Sequence, residues 1–344
     1  MASFIQNIRN SKNRVPYIDN MKGLCILAIT LLHYEDGILP HWLNTFIGSF
    51  MITGFYITNG WLHGINNSCS NLNVQQFLKK RIRSLGVPYL YFSIIILAFD
   101  IIFYTIGHID TSTIYRDLYK TCVLKGIGTL WFLPVIFFGE LLYVITTKYN
   151  IQKLCIFVGL FLWGFINSFI NENVELYWTS PLKDVILAPL SVISNSIYAY
   201  ITITLSSHLP QLMLKKYAQH IIFLLAVTTY LIIQHPLLQG IIQQIILFSW
   251  QFIISTTIFS IFILLKNQNY LFLKYLNFWG QNSLILMLTH YSIIMEFCIY
   301  INYHIFGNPT LSNWNAIFFF IITMIVEYPL TLLINKKFRF LLGK

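Results

Sequence analysis

The residues of this chain best suited to chemistry open its first apolar segment. In YIDNMKGLCILAITLLHY (Tyr17–Tyr34) an acid and a base, Asp19 and Lys22, precede an apolar run that carries one histidine, His33. Lys22 and His33 are eleven residues apart. Eleven steps of about 100° return a helix almost to its starting azimuth, so both side chains share a face, about 16 Å apart along the axis. Ionisable groups inside a bilayer are costly unless they face a cavity or a partner, and each therefore marks a candidate site. Imidazole titrates near working pH, so His33 suits proton transfer. A second histidine follows late in the chain, in FWGQNSLILMLTHY (Phe278–Tyr291). Ser283 and His290 are seven apart there and share a helix face, with His290 about 10 Å beyond the serine. Either histidine alone fits a packing hydrogen bond; two at similar depth fit a shared cavity.

Other chemistry lies at the edges of apolar runs. The segment KKRIRSLGVPYLY (Lys79–Tyr91) places Lys79, Lys80, Arg81 and Arg83 beside an apolar run. Such a cluster is a topology anchor or anionic-lipid contact, or else a seat for phosphates. Trp131, in GTLWFLPVIFFGELLY (Gly128–Tyr143), is an interfacial aromatic or a platform for a sugar ring. Glu140, nine residues deeper, needs a cationic or histidine partner from another helix. Ser191, Ser194, Asn195 and Tyr198 form a polar stripe suited to interhelical hydrogen bonds. Glu296 and Glu327 pair with the histidines or face an outer vestibule, while Asp100 lies near enough to an edge to be wetted.

The elements that position these residues are membrane helices. The 344 residues are 56% hydrophobic and 10% charged, against about 25% charged in an ordinary soluble protein. Apolar runs near twenty residues long recur throughout, and predict an all-α, polytopic bundle of about ten transmembrane helices. The expected spans are 20–38, 42–65, 84–107, 128–147, 153–171, 185–206, 218–234, 239–265, 280–303 and 312–334, in one membrane domain covering 1–344. The first is expected to be a retained helix, since no small-residue cleavage site follows it. With the N-terminus inside, the outer loops hold only Arg116, Lys120, Lys125 and Lys183 of the 22 basic residues. That bias predicts cytoplasmic termini and explains the net charge of +10 without nucleic acid. Five cysteines without metal-ligand spacing predict neither a disulfide nor a metal site.

These motifs also resemble a known family. Asp19-x-x-Lys22-Gly23, followed by the Lys22-x10-His33 spacing, is similar to the opening of the acyltransferase family 3 membrane O-acyltransferases. The family usually has Arg where this chain has Lys22, which keeps the charge and loses the bidentate fork. Arg81 matches the first position of an Arg-x-x-Arg element whose second falls on Ser84. Trp131-Phe-Leu matches a family element often preceded by His, here Thr129. Gly280-x-x-Ser283 with His290 resembles a late element, with Met287 where an aromatic is common.

The resemblance implies transfer of an acyl group, usually acetyl from acetyl-CoA, to a hydroxyl of a surface polysaccharide or lipid-linked glycan at the plasma membrane. It implies His33 as base or acyl carrier, with Asp19, Lys22 and His290 in the catalytic set. Lys79, Lys80, Arg81 and Arg83 would take the coenzyme A phosphates, and Trp131, Ser283 and Glu140 the acceptor. Two other readings compete: a proton-coupled transporter or exporter of a glycan or small acid, and a non-catalytic scaffold. The absence of an evident inverted repeat or Gly/Pro-broken helix pair weighs against the transporter.

Overall fold

A computed structural model describes residues 14–34, 39–66, 73–177, 182–212, 240–307 and 314–344. Every regular element among them is helical. Seven helices are long and apolar enough to cross a membrane: Val74–Thr105 (α4), Gly128–Lys148 (α6), Gln152–Asn171 within α7, Val185–Leu212 within α8, Gly240–Asn267 (α9), Ser283–Phe306 (α11) and Asn315–Lys337 within α12. Ahead of them lie α1 (Pro16–Tyr34), α2 (His41–Phe50) and α3 (Thr53–Asn66). With 19 residues, α1 reaches about 28 Å. The short helices α5 (Thr111–Cys122) and α10 (Leu271–Gln281) complete the set. The expected span at 218–234 lies outside the described residues.

One expected span proves to be broken. The segment 42–65 divides at Met51–Ile52 into α2 and α3, where Gly48, Ser49, Thr53 and Gly54 lower helix propensity. The Thr53 hydroxyl there shares a hydrogen bond with the Tyr198 hydroxyl of α8 at 2.6 Å. The span expected at 280–303 is met by Ser283–Phe306, which begins where the Asn282 side-chain amide donates to the Phe278 carbonyl at 2.8 Å and closes α10. One expected span starts early instead: α4 runs on from Val74, ten residues before 84, through a π-helical stretch at Ile82–Gly86.

α1 lies at the centre of the bundle, and its closest neighbour is α10. Gly23 and Gly280 allow this approach. A Cβ on Gly23 would fall 1.9 Å from the Leu276 carbonyl oxygen, and one on Gly280 would fall 1.7 Å from that of Asp19. Backbone against backbone cannot yield, so Gly280→Val is expected to pry α10 off α1 and lower the amount of folded protein in the membrane. Wild-type yield and melting temperature in a Gly280→Val preparation would contradict this packing. Behind α1, Tyr17, Trp61 and Phe259 join α1, α3 and α9 in one aromatic cluster, and the Trp61 indole N–H donates to the Tyr17 hydroxyl at 3.1 Å.

Candidate functional site

His33 sits at the C-terminal end of α1 and faces inward. Its ring lies 5.4 Å from that of His290 and 4.5 Å from that of Tyr291, centroid to centroid. Both partners come from α11, where the helix widens into a π-helical stretch over His290–Met295. An extra residue in a turn frees a carbonyl and re-aims side chains, which is why such turns gather at functional sites. His290 is fully buried. Its Nδ1 lies 2.5 Å from the Leu286 carbonyl. A carbonyl only accepts, so Nδ1 carries the proton and a neutral His290 keeps its lone pair on Nε2. That Nε2 is buried with no hydrogen-bond partner among the described residues. Next to it, Thr289 donates to a carboxylate oxygen of Glu327 at 2.6 Å. Glu327 therefore meets the residue beside the histidine, and Glu296 lies 4.0 Å from His108.

The loop entering α6 closes over this pair. Gly128 has φ +52°, and a Cβ there would strike the Ser292 hydroxyl and the Tyr291 ring. Thr129 donates a hydrogen bond to the Met287 carbonyl. These contacts tie the turn before Trp131 directly to the segment that carries His290.

A second cluster gathers at the opposite end of α1. Lys22 is within electrostatic reach of Asp19, Arg81 and Glu140. Glu140 is 1% exposed. Arg81 grips it through two nitrogens, each 2.6 Å from a different carboxylate oxygen. Asn59 adds a hydrogen bond from α3, and His63 Nε2 stands 3.8 Å away. Glu140, expected with Trp131 on the acceptor side, thus shares its surroundings with Lys22 and the basic run. Asp19 lies 3.9 Å from Arg14. Arg83 turns away, its Nε donating to the Gly343 carbonyl at 2.8 Å, while Lys79 and Lys80 are exposed. Ser283 opens α11, about 10 Å before His290 along the helix.

Two cavities open at the His33 end. One, of about 200 Å³, is lined by Trp131, Trp163, Asn167, Asn195, Tyr198 and Gln251 among others. The Tyr198 hydroxyl donates to Gln251 there at 2.8 Å. Asn195 and Tyr198 of the polar stripe face this cavity, whereas Ser191 bonds back to its own helix at Ala188. The other, of about 280 Å³, has Gly128, Tyr291 and Ser292 as its floor and charged residues above them. At its edge stands His108, whose pKa burial and the neighbouring His304 hold below the ordinary imidazole value. It is accordingly an uncharged hydrogen-bonding group at neutral pH.

Tyr291, Asn59 and His63 escape sequence reasoning, because only the folded bundle places them beside His33 and Glu140. A family model described as an acyltransferase domain matches residues 15–332. No curated protein matches the chain, and no solved structure does.

Proposed function

The chain belongs to acyltransferase family 3, and from that membership we propose that it is a multi-pass membrane O-acetyltransferase. It takes acetyl from acetyl-CoA on the cytoplasmic side and passes it to a hydroxyl of a surface polysaccharide or lipid-linked glycan. The setting we propose is the plasma membrane, with ten spans and both termini inside, as the distribution of basic residues favours.

One observation carries the reading most directly: His33, on the helix face of Lys22 and about 16 Å from it, meets His290 inside the bundle. Coenzyme A is recognised mainly through its phosphates. The Lys22, Arg81 and Lys79–Lys80 rim supplies cations for them, and the pantetheine arm spans the remaining distance. In the transfer, an imidazole takes the proton of the acceptor hydroxyl as its oxygen bonds to the thioester carbon. The carbon–sulfur bond then breaks, and the proton passes to the departing thiolate, leaving the ester and free coenzyme A. The unpartnered Nε2 of His290 suits it to accept that proton or to orient His33. Deleting the protein should remove an acetyl mass from the cell's surface glycans, read by mass spectrometry. Unchanged glycans, together with solute flux in vesicles lacking acetyl-CoA, would favour a transporter instead.

A further inference from the structure

The charged cavity above the histidines assigns the acceptor a place. We infer that the acceptor sugar is held there, through its hydroxyls, by the carboxylate of Asp100. The inference rests on the acyltransferase reading and adds to it the residue that grips the second substrate.

Position supports this first. Asp100 and Arg81 lie on the same helix, nineteen residues apart, which separates them by about 28 Å. The cavity thus sits at the far end of the bundle from the basic rim where the donor phosphates would dock. Its floor includes Tyr291, whose ring lies 4.5 Å from His33. A molecule resting on that floor is one aromatic ring away from the imidazoles.

Chemistry supports it next. Asp100 is 8% exposed, lines the cavity, and leaves Oδ2 without a hydrogen-bond partner among the described residues. A carboxylate oxygen so placed is costly unless a donor arrives. One carboxylate, Asp117, lies 3.6 Å from Arg116 and 3.9 Å from Lys120, so a surplus positive charge nearby already offsets that of Asp100. The missing donor therefore need not be a cation. A neutral polyol meets the requirement, since sugar hydroxyls donate strong, charge-assisted hydrogen bonds to a carboxylate. At about 280 Å³ the space is at the small end of ligand pockets and admits about one sugar ring. The Trp131 cavity is left for a neighbouring unit of the glycan chain.

The test uses the full chain, returned to a strain lacking it, with acetyl ester content of the surface glycan as the readout. Asp100→Asn keeps the shape and weakens the charge-assisted bonds. Thr113→Trp fills the same cavity from α5 without touching Asp100. Each is expected to lower acetylation about ten- to hundredfold at matched membrane levels. Thermal stabilisation of each purified variant by acetyl-CoA should persist. Wild-type acetylation in either folded variant overturns the inference, as does loss of the acetyl-CoA stabilisation in step with activity. If the deletion strain itself loses no acetyl mass, the enzyme reading falls and takes this inference with it.

Discussion

His33→Ala is expected to cut acetyl transfer by about 10²–10⁴-fold, the usual worth of a positioned general base, without changing the amount of protein in the membrane. The ring touches two others and, among the described residues, makes no hydrogen bond that holds helices together, so its removal leaves a small space between α1 and α11. His290→Ala tests the partner, and its effect on folding should be larger because that ring is fully buried and bonded to the Leu286 carbonyl. If the two act as one unit, the double variant loses no more than the worse single variant. Membranes from His33→Ala cells that still transfer acetyl from acetyl-CoA at the wild-type rate would remove His33 from the mechanism.

The second large effect is structural at its origin. Arg81→Met is expected to destabilise the protein by about 3 kcal/mol, the lower end for breaking a buried ion pair. The lower end applies because the Arg81 side chain is 26% exposed while that of Glu140 is 1% exposed. The loss comes mainly from the stranded Glu140 carboxylate, so replacing both residues should repair it. The double variant Arg81→Met with Glu140→Met is expected to recover most of the melting temperature. It should nevertheless bind acetyl-CoA more weakly, since a cation is gone from the rim. Melting curves and acetyl-CoA titrations of the two variants separate the roles. A double variant as unstable as the single one would mean that Arg81 supports the fold through other contacts.

Much of the helical layout is legible in the order of residues, because the hydropathy of a lipid-facing surface is a local property. The spans in α4, α6, α7, α8, α9, α11 and α12 follow from apolar runs alone. The shared face of Lys22 and His33 is likewise a matter of counting along one helix. What escaped were features made by distant segments meeting. Glu140 demanded a cation, but only packing brings Arg81, Asn59 and His63 to it from α4 and α3. Asp100 carries its own signal, an acid inside an apolar run, but its nearness to the outer edge points only to wetting; the cavity it lines is completed by residues of α5 and α11. The span expected from 280 begins at Ser283, because α10 occupies the chain as far as Gln281. It is the amide of Asn282, returned to its own backbone, that ends the helix.

The widened turn at His290–Met295 also changes how the rest of α11 is oriented. Residues before it keep the angular spacing of an ordinary helix, while those after it are rotated back by the surplus residue. Glu296 therefore joins the wall of the charged cavity with Gly128 and Tyr291, and Cys298 meets Tyr34 of α1 at 4.0 Å. A helical wheel drawn straight through this segment would assign both to the wrong azimuth.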